Sequence, residues 1–512
     1  PICVQSNQVT GVQLFRLPEM KHAYLACTIQ LRRLTPMPRG RPPKPKSSAD
    51  LPKSLSEQEQ QEANELLRKL QEVRAKKTPA KLTSGYEAKK KRAADVSAAK
   101  SQAGREIGPI PPIKDVERRE SCRESFRRFM ETYNPKPLYF GWSANQLRSI
   151  ERMEEAVRHG AMYAWAEPRG NGKTTRCRML ILWAVSYAYR RYPFLLGANA
   201  EKAEDSLSSI KTIIRFLPEY ADDFPEIVYP VARLGGIAHR AQGQICCGTS
   251  TQIEWSKDRI VLPTVPPPPN WPARWPLRSD GMVPSSGVVI ATSGLTGDGI
   301  RGSLLTLKTG EMIRPDIVVL DDPQTAESAR SASQNATREN LVGADVLGMA
   351  GPGRAIAAVM PCTIIERGDM ADRILNRKIH PVWRGERTKM LESMPTDLAA
   401  WERYFEVYRS CILREPPDQQ AANDYYVDHR EELEAGAVAS WAERKNPEDI
   451  SAIQHAMHLF FRDRKAFFSE YQNEPMEVDY GGSELDVEEI KNRLNKIARG
   501  TVPRDHTRLT AF

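Results

Sequence analysis

The fold is decided by the stretch Ala166-Glu-Pro-Arg-Gly-Asn-Gly-Lys-Thr-Thr175. A short apolar run, Met162–Glu167, leads into this stretch, and a long apolar segment, Thr174–Arg190, continues from it. This order predicts a buried strand, a glycine turn and a buried helix. Glycines let backbone N–H groups turn toward an anion, and the positive end of the following helix points at the same place. The stretch therefore predicts a phosphate-binding loop.

Each residue of this loop has an expected role. Lys173 can reach the β- and γ-phosphate oxygens, and Thr174 supplies a hydroxyl for Mg²⁺. The residues expected to bind the nucleotide are Gly170, Asn171, Gly172, Lys173, Thr174 and Thr175. The loop departs from the usual pattern, G-x-x-x-x-G-K-[ST], because Glu167 stands where the first glycine is expected.

Two adjacent carboxylates follow another apolar run, in Ile317-Val-Val-Leu-Asp-Asp-Pro323. Carboxylates at the end of a buried strand are costly unless a cation or hydrogen-bond donors satisfy them. A Mg-nucleotide site needs an acidic partner at the end of such a strand. We therefore expect Asp321 to hold Mg²⁺ through water and Asp322 to orient the attacking water. The alternative for Asp322 is a helix N-cap before Pro323.

Hydrolysis also needs positive charge on the departing γ-phosphate. Arg169, inside the loop, is one candidate, and Arg301, in the glycine-flanked run Gly297-Asp-Gly-Ile-Arg-Gly302, is another. For either residue the alternative is an ordinary surface arginine. Gln146, upstream of the loop, carries an amide donor and acceptor that can read the adenine edge. Its alternative is a solvent-facing helix residue.

Further apolar runs alternate with amphipathic segments along the middle of the chain. The expected strands after the first are Phe194–Ala198, Val288–Thr292, Ile317–Leu320 and Ala355–Met360, and the expected helices include Arg118–Tyr133, Ser143–His159 and Glu201–Phe216. Strands that alternate with helices imply an α/β fold, with a parallel central sheet covered by helices on both faces. Beyond Lys389 the pattern becomes helical and richly charged.

The 512 residues divide into segments of different composition. Residues 1–36 form an extension of doubtful status, and residues 37–115 form a basic arm with 18 Lys/Arg and 10 Asp/Glu. A nucleotide-hydrolysing domain is expected over 116–388, a helical subdomain over 389–475, and a linker with one strand over 476–512. Apolar residues make up 40% of the chain, but no apolar run approaches the roughly 18 residues that span a bilayer, which predicts a soluble protein.

The arm contains too few apolar residues to offset the entropy of ordering, so we expect it to be mostly disordered. One amphipathic helix is expected over Ser56–Lys77. Arg39-Gly-Arg-Pro42 is similar to the minor-groove hooks of chromatin proteins, and a solvated basic tail is the alternative.

Five motifs occur in a characteristic order. They are Arg169–Thr175, Gly299–Gly302, Pro315–Pro323, Val359–Met370 and Phe467–Pro475. In this order the chain, from about Phe126 to Phe512, resembles the large terminase subunit of tailed bacteriophages. The resemblance implies a P-loop NTPase of the additional-strand type, which uses ATP and Mg²⁺ to pump double-stranded DNA through the portal of a procapsid.

The same resemblance implies roles for individual residues. Lys173 and Thr174 would be nucleotide ligands, Asp321 the Mg²⁺ carboxylate and Arg169 a phosphate sensor. Thr363 matches the motif that couples hydrolysis to movement. Arg301 matches a finger that acts on an adjacent subunit. Most members of the family carry Asp-Glu where this chain has Asp321-Asp322.

The resemblance also implies partners and a place of action. Self-association into a pentameric ring, the portal protein and the small terminase subunit are expected, with no membrane partner. The place would be the cytoplasm of the infected host, on the procapsid portal and not in the mature virion. Thr507–Phe512 looks like the first strand of a nuclease domain, so we expect an ATPase part without nuclease activity. A helicase-like P-loop ATPase and a nucleotide-binding, DNA-associated scaffold without turnover remain as alternatives.

Overall fold

The computed structural model describes residues 105–295, 300, 303–351, 353 and 356–476, together with positions 61, 65, 68, 69, 88–93 and 95–97. Two compact units, Pro1–Lys91 and Arg92–Phe512, divide the chain, and the fold below is that of the second. The predicted extension, most of the arm, Arg301 and the segment after residue 476 lie outside the described residues. Within the helix expected over Ser56–Lys77, the described positions 61, 65, 68 and 69 are helical. Positions 88–93 and 95–97 of the arm are also helical, where the sequence did not predict a helix.

The described part of the chain contains fourteen strands of two to six residues each. They are β1 Met162–Ala166, β2 Pro193–Gly197, β3 Ile245–Cys246, β4 Thr249–Ser250, β5 Glu254–Trp255, β6 Arg259–Val261, β7 Val289–Gly294, β8 Leu305–Thr306, β9 Met312–Ile313, β10 Ile317–Asp321, β11 Ala357–Cys362, β12 Glu386–Arg387, β13 Leu391–Ser393 and β14 Val438–Ala439. Eight of them form a central sheet in the order β12-β1-β11-β10-β2-β7-β6-β5. All neighbours from β12 to β7 pair in parallel, whereas β6 and β5 are antiparallel. The prediction of an α/β fold on a mostly parallel central sheet is confirmed.

The described residues from 105 to 476 contain fifteen α-helices. They are α1 Val116–Arg123, α2 Phe126–Tyr133, α3 Ala144–His159, α4 Lys173–Ser186, α5 Ala200–Phe216, α6 Pro218–Asp223, α7 Pro225–Arg233, α8 Ala326–Ala329, α9 Ala332–Asn340, α10 Met370–Leu375, α11 Leu398–Ile412, α12 Gln420–Asp428, α13 Arg430–Glu434, α14 Ala452–Arg462 and α15 Arg464–Ala466. Leu341–Val346 and Phe467–Tyr471 are π-helical turns, and Ala238–Ala241 and Pro381–Trp383 are 3-10 turns. Among the described residues, no helix is long and apolar enough to cross a bilayer.

Alternate residues of the central strands point to opposite faces of the sheet. Ile317 and Val319 pack with helices α1 to α7 in one core, whereas Val318 and Leu320 pack with α10 and the Leu341–Val346 turn in another. Because both faces are covered, these strands are apolar without interruption, which is why they were visible in the sequence.

β11 lies between β1 and β10, although it follows β10 in the chain. Its register places Cys362 beside Ala166 and Val359 beside Val319. Parallel strands end at the same edge of a sheet, and ligands of open α/β sheets bind outside the carboxyl ends. Three predicted parts of the site follow these three strands and therefore meet at one edge. They are the predicted phosphate-binding loop, residues 167–172 (called the phosphate loop below), Thr363 and Asp322.

The segment 389–475 has its own apolar core, which includes Trp401, Tyr404, Tyr426, Phe460 and Phe467. Its helices are accompanied by a two-stranded sheet of β13 and β14, which the sequence did not predict. The strands have two or three residues each, too few to show a period of two.

Two further boundaries differ from the sequence expectation. The helix expected over Arg118–Tyr133 is interrupted, because the Ser125 side chain accepts a hydrogen bond from the Arg128 N–H and starts a new helix. Residues 105–115, which were assigned to the arm, contain Ile107 and Ile110, whose side chains are buried together with Val265. Packing therefore begins before the predicted boundary at residue 116.

Candidate functional site

The phosphate loop connects β1 to α4 through two glycines in the left-handed region, Gly170 at φ +87° and Gly172 at φ +78°. Residues with a Cβ are strained there, so the loop requires glycine at both positions. Gly172 is the N-cap of α4, and no side chain caps that helix. The N–H groups of its first turn are therefore available to an anion, which the helix dipole also favours.

Lys173 bridges the loop and the end of β11. Its ammonium group donates a hydrogen bond to the carbonyl oxygen of Glu167 at 2.7 Å and another to Thr363 Oγ1 at 3.2 Å. The side chain is buried, with 7% of its surface exposed. The predicted phosphate-binding lysine and the predicted coupling residue are thus in direct contact.

Asp321 receives two hydroxyl groups. Thr174 Oγ1 donates to Asp321 Oδ1 at 3.0 Å, and Ser206 Oγ donates to Asp321 Oδ2 at 3.2 Å. Burial and the neighbouring charge of Asp322 raise the pKa of the Asp321 carboxyl, which the hydrogen bond from Thr174 opposes. A nearby cation would relieve this desolvated charge. Ser206 lies on α5 and was not a candidate, since a helix serine carries no sequence signal.

A hydroxyl and a carboxylate oxygen are hard ligands that suit Mg²⁺, which commonly binds through one or two protein groups, substrate phosphates and water. The pair Thr174 and Asp321 fits that ion. Within the described ranges, no group of three or more His, Cys, Asp or Glu side chains forms a metal site. A site made by the protein alone is therefore not found there.

Asp322 adopts a left-handed backbone conformation, with φ +45°. Aspartate tolerates this region better than most residues. Its N–H donates to the carbonyl oxygen of Pro361, in β11, at 3.2 Å. The N-cap alternative is wrong, because the next helix is capped by Thr325, whose side chain accepts from the Ser328 N–H.

Glu167, at the position of the missing glycine, is buried and paired with Arg176 of α4. The guanidinium of Arg176 donates to Glu167 Oε2 and to Ser149 Oγ of α3. Glu167, which replaces the usual glycine, thus forms an ion pair with an arginine in the first turn of the helix that follows the loop.

Gln146 is held on both sides of its amide. Gln146 Oε1 accepts from the Ser143 N–H at 3.0 Å, in a capping box, and Nε2 donates to the carbonyl oxygen of Asn171 at 3.2 Å. Only 2% of its surface is exposed, so the solvent-facing alternative is wrong. In this structure the amide positions the phosphate loop, and contact with adenine would require it to exchange one of these partners.

The segment 389–475 contacts the phosphate loop through two arginines, Arg169 of the loop and Arg444 of the segment. Arg169 Nη1 donates to Glu470 Oε2 at 2.7 Å, and the Arg169 N–H donates to the Glu470 carbonyl oxygen at 2.8 Å. The hydrogen bond from Arg169 to Glu470 raises the pKa of the arginine. Arg444 Nη1 donates to Asn171 Oδ1 at 2.6 Å, and Nη2 donates to the carbonyl oxygen of Arg169.

Neither Arg444 nor Glu470 was a candidate from the sequence. Glu470 lies in the motif Phe467–Pro475, which marked the segment without assigning a role to any of its residues. Asn473, in the same motif, accepts from the Ile364 N–H at 3.4 Å and donates to the Thr388 carbonyl oxygen at 2.9 Å. The motif therefore contacts the phosphate loop and the residue after Thr363 together.

A cavity of about 560 Å³ lies beside the phosphate loop. Gly170, Asn171 and Thr175 line it on one side, and aromatic residues from two other segments line it elsewhere. The rings of Phe140 and Trp441 are 5.6 Å apart and nearly perpendicular, and Trp441 Nε1 donates to the Gly141 carbonyl oxygen at 2.9 Å. Contact between the residues before α3 and the segment 389–475 thus forms one wall of the cavity.

The structure brings together most of the predicted site. Lys173, Thr174, Asp321, Asp322 and Thr363 lie at the carboxyl edge of the central strands. Gly170, Asn171, Gly172, Thr175 and Gln146 line the adjacent cavity. Arg169 lies beside them, and its side chain forms an ion pair with Glu470. Arg301 is outside the described residues.

Neither the protein-family models nor the curated protein sequences compared with this chain gave a match.

Proposed function

We propose that this chain is a P-loop ATPase of the additional-strand type, and that it is the ATPase part of a DNA-packaging motor. The observation that carries the ATPase proposal is the contact of Thr174 with Asp321 at 3.0 Å, beside the contact of Lys173 with Thr363. These contacts bring a helix N-terminus, a lysine and a carboxylate to one point, which is what a Mg-nucleotide site needs. The position of β11 between β1 and β10 supports the additional-strand type.

In this proposal the uncapped N-terminus of α4 and the glycine loop bind the phosphates. Lys173 leaves its contacts with Glu167 and Thr363 to bind the β- and γ-phosphate oxygens. Thr174 and Asp321 would hold Mg²⁺, which neutralises charge on the phosphates when bound. Asp322 orients the attacking water. Its backbone is in the left-handed conformation, and its N–H is hydrogen-bonded to the Pro361 carbonyl oxygen. Arg169 neutralises charge on the γ-phosphate after leaving Glu470.

The base and sugar would occupy the cavity beside the loop. Its volume of about 560 Å³ lies within the usual range for small-molecule sites. Phe140, Trp142 and Trp441 provide aromatic surface there, and aromatic contact with a nucleobase is worth about 1–3 kcal/mol in nucleic-acid complexes. Replacing Phe140 by Ala should therefore weaken ATP binding by about tenfold.

The DNA-packaging proposal rests on the resemblance to the terminase large subunit. Three of the motifs that carry it converge in the structure, since Glu470 and Asn473 of the motif Phe467–Pro475 contact Arg169 of the loop and Ile364, the residue after Thr363. Double-stranded DNA, the portal protein, the small terminase subunit and further copies of the chain in a ring would be the partners. Arg301 would act on a neighbouring copy, and the host cytoplasm would be the place of action.

Two measurements test these proposals in turn. ATP binding and hydrolysis by the chain, beside Lys173→Ala and the surface control Lys308→Ala in the β8–β9 turn, test the ATPase. Stimulation of hydrolysis by duplex DNA, and DNA uptake into portal-bearing procapsids with the small subunit present, test the motor. Lys173-dependent hydrolysis that ignores DNA would contradict the packaging function alone. ATP binding without hydrolysis would favour the alternative of a scaffold without turnover. The observation that favours this alternative is Asp322, which stands where most members of the family carry Glu.

A further inference from the structure

Arg444, in the segment 389–475, contacts the phosphate loop directly. Its guanidinium donates to Asn171 Oδ1 at 2.6 Å and to the carbonyl oxygen of Arg169. The guanidinium carbon lies 5.6 Å from the centre of the Tyr471 ring. A Cβ built on Gly170 would come within 3.6 Å of Arg444 Nη2. The arginine is thus held by hydrogen bonds to two loop residues, Asn171 and Arg169, and lies over the ring of Tyr471.

The charge of this guanidinium is poorly compensated by the groups it contacts. Its hydrogen bonds go to an amide oxygen and a peptide oxygen, which carry no formal charge. Glu167 is the acidic residue whose charge acts on it, but Glu167 is already paired with Arg176. Burial lowers the pKa of Arg444 to about 10. An anion at this point would remove that electrostatic cost.

The place of Arg444 shows where such an anion would lie. Arg444 lines the same cavity as Gly170, Gly172 and Thr175, on the side where the cavity meets the loop. A nucleotide with its base in the cavity and its terminal phosphates in the loop must pass its sugar-linked phosphate through this junction. The guanidinium has five N–H donors, and two of its nitrogens already hold it to the loop.

We propose that Arg444 is a nucleotide-binding residue, contributed by the segment 389–475 of the same chain, and that its guanidinium binds the phosphate next to the sugar. This inference rests on the proposed function, because it requires the loop to bind a nucleotide. Bound nucleotide then joins the loop to the segment through a charged contact, and loss of the nucleotide leaves only the contacts to neutral oxygens.

Calorimetric titration of the full chain with ADP and with ATP tests the proposal. The variants are Arg444→Met, Arg444→Lys and a matched control, Arg464→Met. Arg464 is also in the segment 389–475, and its guanidinium also lies over an aromatic ring, that of Phe460 at 5.1 Å. Lys173→Ala is titrated beside them, and melting temperatures without nucleotide show whether each variant folds.

We expect Arg444→Met to lower the affinity for both ADP and ATP by about tenfold, as expected for the loss of one charge-assisted hydrogen bond. Arg444→Lys should recover much of the loss, because it restores the charge, and Arg464→Met should bind as the parent chain does. Raising the salt concentration should weaken ADP binding less in Arg444→Met than in the parent, since one cationic contact is gone. A purely structural role would leave the salt dependence unchanged.

The outcomes separate the two proposals. If the parent binds ADP in a Lys173-dependent manner and Arg444→Met binds it equally well, the role of Arg444 is overturned and the ATPase proposal stands. Weaker binding with the parent's salt dependence, and no recovery in Arg444→Lys, would overturn it as well. If the parent chain binds neither nucleotide, the ATPase proposal is overturned, and the role of Arg444 with it.

Discussion

Thr174 Oγ1 donates a hydrogen bond to Asp321 Oδ1 at 3.0 Å, although 147 positions separate the two residues in the chain. The contact exists because β1 and β10 flank β11 and all three strands end at one edge of the sheet. Mg²⁺ bound to a nucleotide is held by oxygen ligands of this kind. We therefore expect both residues to control the dependence of hydrolysis on Mg²⁺.

Asp321→Asn should lower Mg²⁺-dependent ATP hydrolysis by about a hundredfold, because a neutral amide cannot replace the carboxylate at a metal-held phosphate. The Mg²⁺ concentration that gives half-maximal rate should also rise. Steady-state phosphate release over a range of Mg²⁺ concentrations checks this. An unchanged rate would place the metal ligand elsewhere.

Asp322→Asn separates water activation from nucleotide binding. Asparagine also tolerates the left-handed conformation, so the backbone at φ +45° can remain. Hydrolysis should fall by about a hundredfold or more, as for loss of a general base, while the affinity for ATP stays within about twofold. Titration and turnover on the same preparation measure both quantities. Undiminished turnover would show that another group orients the water.

Glu167→Gln should destabilise the protein, because it leaves Arg176 buried without its carboxylate. Breaking one side of a buried ion pair costs about 3–5 kcal/mol. The double variant with Arg176→Met should recover part of this loss, since no unpaired charge remains. Glu406→Gln, in an exposed pair with Arg409, is the control and should change stability by less than about 1 kcal/mol. Urea unfolding measures the free energy of unfolding of the parent and the three variants. A double variant no more stable than Glu167→Gln would contradict the pairing.

Asp449 gives a pH dependence in the segment 389–475. Burial raises the pKa of its carboxyl, but hydrogen bonds from His455 and His458 outweigh burial and hold the pKa well below its usual range. A lowered folded pKa adds stability above the unfolded value, and this is lost as pH falls through the folded value. Asp449→Asn should therefore cost about 2 kcal/mol at neutral pH. The difference from the parent should shrink below about pH 4.

Urea unfolding from pH 3.5 to 7 checks this dependence in the parent and in Asp449→Asn. Asp424→Asn, at an exposed position, is the control. A difference that is independent of pH would show that the carboxylate charge is not what stabilises the pair of histidines.

The sequence predicted the parts of the site that are local in the chain. The glycine loop, Lys173 and Thr174 stand between an apolar strand and an apolar helix, and Asp321 ends another apolar run. Buried parallel strands are continuous apolar runs, so their ends can be read without knowing the sheet order. The order itself, with β11 inside, was expected only through the resemblance.

What could not be predicted depends on contacts between distant segments. Ser206 lies on a helix and Arg444 in a loop, and neither segment has a pattern that indicates a site. Glu470 lies in a motif that marked its segment but assigned no role to it. β12 has two residues, Glu386 and Arg387, and joins the edge of the sheet without an apolar run. Gln146 was expected at the base, but the Asn171 carbonyl and the capping box compete for its amide.

The most direct test of the central claim is Mg²⁺-dependent ATP hydrolysis by this chain beside Lys173→Ala, over a range of protein concentrations, with and without duplex DNA. We expect hydrolysis that requires Mg²⁺, disappears in Lys173→Ala and rises with protein concentration, because Arg301 of one copy would complete the site of the next. Hydrolysis that persists in Lys173→Ala would contradict the assignment of the phosphate loop as the catalytic site.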